Sequence, residues 1–117
     1  MPGGMLDGIT RTSQFGLGLA VVNPELRTMF DVNFRIVGCT TPVDGEHVDA
    51  RFGFSMRKLA SDDMTGMVAA MVQASFEKEV DQDIPIWENK VYRDPPVITK
   101  TEKLILEHRR WCEQFYS

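Results

Sequence analysis

Apolar and polar side chains alternate along three stretches in the first half of the chain, which is typical of strands that bury one face. QFGLGLAVV alternates from Gln14 and is followed by the strand-breaking sequence NPEL. MFDVNFRIV is the clearest strand, with apolar residues Phe30, Val32, Phe34 and Ile36 on one face. HVDARFGFSMR follows the tight-turn sequence Asp44-Gly45, so we expect it to form an antiparallel hairpin with MFDVNFRIV. Residues 1–13, with three glycines, are expected to be a flexible lead-in.

From Ser61 onward the apolar period changes to steps of three and four, which predicts a long amphipathic helix. Ser61 is a suitable N-cap, and Asp62 and Asp63 follow where the helix dipole favours negative charge. The apolar stripe comprises Met64, Met67, Val68, Met71, Val72, Phe76 and Val80. Pro85 lacks the N–H of a helical residue, so we expect a kink or a restart near residues 82–85.

A last helix is predicted after Pro95 and Pro96, because Thr99 and Glu102 have the spacing of a capping box. Its predicted inner side is Leu104, Ile105, His108, Trp111, Cys112 and Phe115. The fold class is therefore α+β, with an antiparallel sheet of at least three strands packed on a long helix and a carboxyl-terminal helix. So small a sheet leaves bare edges, and we expect a homo-oligomer or part of a larger fold.

Composition narrows the function classes. A chain of 117 residues is one domain at most, and its net charge of −4 argues against a nucleic-acid partner. Its apolar runs are too short to span a bilayer and its first residues lack a signal-peptide pattern, so we expect a cytoplasmic location. Cys39 and Cys112 are expected to be buried free thiols.

One acid falls on the apolar side of the long helix. At about 100° per residue, Asp83 projects within roughly 20° of Phe76, whereas Asp81 projects about 140° away. A carboxylate removed from water needs a cation, hydrogen-bond donors, a proton or a metal. The residues alone leave three interpretations of Asp83 open: a cap for a helix restarted at Pro85, a salt bridge to an arginine of the RRW segment, or a metal or catalytic ligand.

Other candidate ligands are weaker. His47 follows a hairpin turn and His108 lies on a predicted helix, and we expect both to be solvated or satisfied by neighbours. The methionines at 64, 67 and 71 could line an apolar ligand cavity, but core packing is the usual role of such a stripe.

Two motifs near the carboxyl terminus carry a family resemblance. They are QD-x-x-IW-x-NK, with Gln82, Asp83, Ile86, Trp87, Asn89 and Lys90, and RRW-x-x-QFY, with Arg109, Arg110, Trp111, Gln114, Phe115 and Tyr116. Together with TTPVDGEHVDARFGFSMRK upstream, they resemble the carboxyl-terminal catalytic region of Rieske-type mononuclear non-heme iron oxygenases. The branch concerned holds the oxygenase component of 3-ketosteroid 9α-hydroxylase and the cholesterol 7-desaturases. The resemblance covers residues 14–117, as a partial catalytic domain.

The resemblance implies a helix-grip fold, of the START and Bet v 1 type, around a cavity for a steroid or another polycyclic apolar molecule. It also implies a ferrous iron held by two histidines and one carboxylate, which makes Asp83 both the metal ligand and the catalytic residue of this chain. Electrons would come from a flavin reductase or a ferredoxin through a 2Fe-2S cluster.

The chain departs from the family pattern upstream. The two histidine ligands and the segment that binds the 2Fe-2S cluster do not occur in it, and His47 and His108 do not match them. We therefore expect the non-heme iron to be absent from this chain alone, and the chain alone to be inactive. The alternative is a stand-alone helix-grip binder of apolar small molecules that carries out no catalysis.

Overall fold

The computed structural model of the protein describes residues 8–26 and 32–116. Four strands are followed by two helices in this part of the chain: β1 Gly8–Gln14, β2 Leu19–Leu26, β3 Val32–Pro42, β4 Val48–Met56, α1 Asp62–Glu88 and α2 Lys103–Glu113. The strands form one antiparallel sheet in the order β1-β2-β3-β4, which confirms the α+β class. The chain divides into two compact units, Met1–Gln73 and Ala74–Ser117.

β1 lies where the sequence predicted a flexible lead-in, so that expectation is wrong for residues 8–13. The strand pairs with β2 along its whole length, from Gly8 opposite Leu26 to Gln14 opposite Ala20. All of its side chains are exposed. Because the strand has no buried face, its sequence shows no alternation of apolar and polar residues. Backbone hydrogen bonding to β2 is what orders it. Residues 1–7 lie outside the described residues.

β2 also begins and ends later than predicted. Residues 15–18 form the turn from β1, in which the Phe15 N–H donates to the Leu19 carbonyl at 2.9 Å and Gly16 has a φ of 79°. The strand then continues through Asn23 and Pro24, so NPEL does not break it. Bridging to β3 stops after Val22 and resumes at Glu25, because proline has no N–H for the ladder.

The predicted hairpin of β3 and β4 is confirmed, with Phe34 opposite Met56 at one end and Pro42 opposite Val48 at the other. The buried core residues of the described part are Val32 and Ile36, both on the predicted apolar face of β3. Phe30, which was predicted to share that face, lies outside the described residues.

Helix α1 begins as predicted, since Ser61 Oγ accepts a hydrogen bond from the Met64 N–H at 3.1 Å. The expected restart near Pro85 is not found, because α1 is one continuous helix to Glu88. Its half-buried row follows steps of four: Met64, Val68, Val72, Phe76 and Val80. Met67 and Met71, also predicted in the stripe, are 63% and 65% exposed because they project away from that row.

Helix α2 begins at Lys103 rather than at Thr99. The Thr99 N–H does donate to Glu102 Oε2 at 2.7 Å, so half of the capping box forms, but a turn separates it from the helix. Trp111 and Cys112 are half-buried as predicted, whereas Leu104 is 74% exposed. No helix among the described residues has the length and apolar character needed to cross a membrane.

Candidate functional site

Asp83 lies four residues after Glu79 on the last two turns of α1, and its side chain is exposed. Because the helix is continuous, the carboxylate projects within roughly 20° of Phe76, as the sequence predicted. Its side chain forms no hydrogen bond or ion pair with any described residue. Because Asp83 is exposed, the expectation that its carboxylate is removed from water is wrong, and it forms neither the expected cap nor a salt bridge with the described residues. Its role as a metal ligand stays a prediction.

The turn that carries Asp83 contains Pro85, which cannot donate to the carbonyl of Asp81 as a helical residue would. One turn after Asp83, two hydrogen bonds stabilise the end of the helix. Asn89 Nδ2 donates to the Pro85 carbonyl at 2.7 Å, and the Lys90 N–H donates to the Trp87 carbonyl at 3.2 Å. Asn89 of the first motif therefore stabilises the end of α1 that follows Asp83.

Arg109 of the second motif ties α2 to the segment that follows α1. Its Nη1 donates to the Arg93 carbonyl at 2.7 Å, and its guanidinium carbon lies 4.7 Å from the centroid of the Tyr92 ring. This is the geometry of a cation–π contact. The sequence marked Arg109 as a motif residue, but only the structure identifies what it contacts.

Three ring-bearing side chains contact one another along α2. The Trp111 ring is stacked on His108 with centroids 5.8 Å apart, and it meets Phe115 edge-on at 5.0 Å. Gln114 Nε2 donates to the Trp111 carbonyl at 2.7 Å. These contacts give the RRW-x-x-QFY motif a packing role within the unit Ala74–Ser117.

The two histidines are satisfied by neighbours. His47 Nδ1 lies 2.8 Å from Asp44 Oδ1, and His108 Nε2 lies 3.5 Å from Cys112 Sγ. Both cysteines are free thiols, as predicted, but neither is buried: Cys39, near the end of β3, is exposed, and Cys112 is half-buried.

The described residues do not form a complete iron site. Non-heme iron of the predicted kind needs two histidines and a carboxylate around one point. No group of three or more histidine, cysteine, aspartate or glutamate side chains in residues 8–26 and 32–116 is placed to hold a metal ion. The donor set therefore does not fit the metal by itself, and Asp83 supplies a single candidate ligand.

An apolar cavity of about 180 Å³ lies within the first unit, between the sheet and the first part of α1. Phe34, Phe54 and Met56 line it from the sheet, and Ala69 and Val72 line it from the helix. Small-molecule pockets usually enclose about 300 to 1,000 Å³, so this cavity is smaller than a typical one. Met64, Met67 and Met71 are not among its lining residues.

Comparison with known proteins decides the family. Residues 4–116 match the family described as the 3-Ketosteroid 9alpha-hydroxylase C-terminal domain. The chain belongs to this family. The resemblance, which was seen over residues 14–117, is thereby confirmed, and the match begins ten residues earlier, at residue 4.

Proteins with similar sequences include a 3-ketosteroid-9-alpha-monooxygenase oxygenase component of Rhodococcus rhodochrous, 32% identical over 74% of this chain and 23% of its own length. A protein named Cholesterol 7-desaturase nvd 2, from Ciona intestinalis, is 46% identical over 33% of this chain and 9% of its own length. The chain thus spans about a quarter of the length of the oxygenase component that it matches. No solved structure matches the chain.

Proposed function

We propose that this chain is the carboxyl-terminal part of the catalytic domain of a Rieske-type non-heme iron oxygenase, which hydroxylates or desaturates a steroid or another polycyclic apolar molecule. The supporting observation is the family match over residues 4–116 in a chain that carries the QD motif on a continuous helix. The intact system would also contain the histidine ligands, the 2Fe-2S cluster and an electron donor, a flavin reductase or a ferredoxin.

Asp83 is the carboxylate ligand to the iron in this proposal. Its side chain is exposed and forms no hydrogen bond or ion pair with the described residues, so it has no structural task that competes with binding a cation. The apolar faces of β3, β4 and the first part of α1 contribute one wall of the substrate cavity through Phe34, Phe54 and Val72.

The same cavity is small for a stand-alone binder of apolar molecules. A volume of about 180 Å³ is below the range of about 300 to 1,000 Å³ that is usual for small-molecule pockets. The remaining walls and the remaining iron ligands come from the rest of the intact protein. For this reason we expect the isolated chain to show no steroid-dependent consumption of oxygen.

A chimera tests the role of Asp83. Residues 4–116 replace the matching region of the Rhodococcus rhodochrous oxygenase component, and mononuclear iron, 2Fe-2S content and steroid-dependent oxygen consumption are measured with its electron donor. We expect Asp83→Asn to lose the mononuclear iron and to lower turnover at least 100-fold, while it keeps the 2Fe-2S cluster. Asp81→Asn is the matched control, since Asp81 is exposed on the same helix and projects about 160° from Asp83.

Retention of iron and turnover by Asp83→Asn, at the level of Asp81→Asn, would overturn the assignment of the ligand. The 2Fe-2S content measures folding independently of the mononuclear iron. A misfolded variant is therefore recognised by loss of the 2Fe-2S cluster. Oxygen consumption by the isolated chain would contradict the view that it is only part of a catalytic domain.

A further inference from the structure

A second cavity, of about 370 Å³, opens on the sheet within the unit Met1–Gln73. This volume lies within the range of about 300 to 1,000 Å³ that is usual for small-molecule pockets. Its lining comes from three neighbouring strands, β2, β3 and the end of β4, and we name it the three-strand pocket. None of its residues belongs to the proposed iron site, although Phe34, Ser55 and Met56 also line the apolar cavity described above.

The register of the strands places the polar side chains of the pocket on one face of the sheet. Arg35 lies opposite Ser55 across β3 and β4, and its Nε donates to Asn23 Oδ1 on β2 at 2.9 Å. Residues that lie opposite one another in antiparallel strands project to the same face. These three side chains therefore form one row across the sheet.

A second row lies two residues along each strand. Asn33 is opposite Glu25, and its carbonyl accepts a hydrogen bond from the Arg57 N–H at 3.1 Å. Because side chains two residues apart on a strand share a face, this row faces the same way as the first. Pro24, Phe34 and Met56 lie between the two rows and also line the pocket. Since their side chains alternate to the opposite face, their backbones form its floor.

The charges of the pocket are not neutralised by ion pairs. Neither Arg35 nor Arg57 pairs with a carboxylate in the part of the chain that the structure describes, and Glu25 also forms no ion pair there. Asn23 occupies only the Nε of Arg35, which leaves the two terminal nitrogens available. Arg51, on strand β4, differs because its guanidinium lies 2.9 Å from Asp49.

We propose that the three-strand pocket binds the oxyanion group, a phosphate or a carboxylate, of a small molecule. The planar guanidinium fork donates two parallel hydrogen bonds to such a group, and Arg35 is held in place for this by Asn23. Arg57, the residue after β4, supplies a second positive charge, and Asn33 and Ser55 add polar side chains. Glu25 also lines the pocket, and its negative charge lowers the affinity for an anion.

Titration of the isotope-labelled chain with inorganic phosphate and, separately, with succinate tests the proposal. Ionic strength is held constant with sodium chloride, and backbone amide shifts are followed by nuclear magnetic resonance. We expect saturable shifts in residues 23–25, 33–35 and 55–57 with at least one of the two anions, and the one that saturates identifies the class of oxyanion. A rise in Tm with the same anion is a second readout, because a ligand of the folded state raises it.

Three substitutions in the pocket and one control make the test specific. Arg35→Gln and Arg57→Gln should each weaken binding by roughly tenfold or more, since each removes a charged hydrogen bond. Glu25→Gln should strengthen binding, because it removes the opposing charge. Arg51→Gln should leave the affinity unchanged, since Arg51 is already paired with Asp49.

Shifts that do not saturate with either anion, or that sodium chloride reproduces, would overturn the site. Equal weakening by Arg51→Gln and Arg35→Gln would do the same, because it would indicate a diffuse effect of surface charge. Dispersed amide spectra of all four variants establish that the comparison is made between folded proteins.

Discussion

Arg109 donates a hydrogen bond from Nη1 to the backbone carbonyl of Arg93 at 2.7 Å, across 16 positions of sequence. The same guanidinium covers the ring of Tyr92. One side chain of α2 thus holds the segment that follows the Asp83-bearing helix, although neither Arg93 nor Tyr92 belongs to the two motifs.

Replacing Arg109 with glutamine should destabilise this segment by about 1 to 2 kcal/mol, because a charged hydrogen bond and a cation–π contact are lost together. Hydrogen exchange of residues 91–98 and urea denaturation measure the effect. Arg110→Gln is the matched control, since Arg110 is exposed and has no partner among the described residues. Equal effects of the two substitutions would contradict the role assigned to Arg109.

The hairpin of β3 and β4 should lose stability in acid. Hydrogen bonds to Asp44, first from the Glu46 N–H and then from the His47 side chain, hold the pKa of this carboxyl below its ordinary value. A lowered pKa in the folded state means that the ionised group stabilises the hairpin above the ordinary aspartate pKa of about 3.9. This stabilisation is lost as pH falls through the lowered value.

Amide shifts and exchange rates of residues 41–48, followed from pH 6 to pH 2, measure this loss. Asp44→Asn keeps an oxygen that can accept the two backbone hydrogen bonds but does not titrate. Its hairpin should therefore lack the acid transition of the native chain. An unchanged transition in Asp44→Asn would assign the acid sensitivity to another group.

Asp83→Asn should change the free energy of unfolding of the isolated chain by no more than about 0.5 kcal/mol, because an exposed side chain without partners contributes little. Asp81→Asn should have an equally small effect. Chemical denaturation of the two variants and the native chain makes the comparison. A marked loss of stability specific to Asp83→Asn would show that the carboxylate has a structural partner.

We expect the isolated chain to self-associate. β1 and β4 are the outer strands of the described sheet, and exposed edges of this kind pair with other chains. Val48, 63% exposed at the start of β4, marks one edge. Sedimentation velocity over a range of concentrations should show oligomers, which Val48→Lys should weaken.

Val97→Lys provides the control for this experiment, since Val97 is 91% exposed but lies outside the strands. It should leave the association unchanged. A native chain that sediments as a monomer at all concentrations would rule the prediction out.

Local signals predicted the elements whose causes are local. The turn at Asp44-Gly45 forms through the Asp44 carboxylate, and the cap at Ser61 forms through its hydroxyl, both within three residues. β1 was missed because it is held by backbone pairing with β2. Its side chains are all exposed, so they show no alternation that would reveal a strand. The strand break expected at Pro24 and the helix restart expected near Pro85 are not found, for a related reason. Hydrogen bonds of the neighbouring residues allow the strand and the helix to continue through a proline that would end them in isolation.

By itself the sequence determined the α+β class, the family motifs and the position of Asp83 on the helix, because periodicity and spacing are properties of the chain. Only the tertiary structure decided that Asp83 has no partner in the described residues, that Arg109 reaches Arg93, and that three strands bring Arg35 and Arg57 to one pocket. These facts depend on which residues meet across a register or between segments. Such distances are set by the packing of the whole unit rather than by any local run of residues.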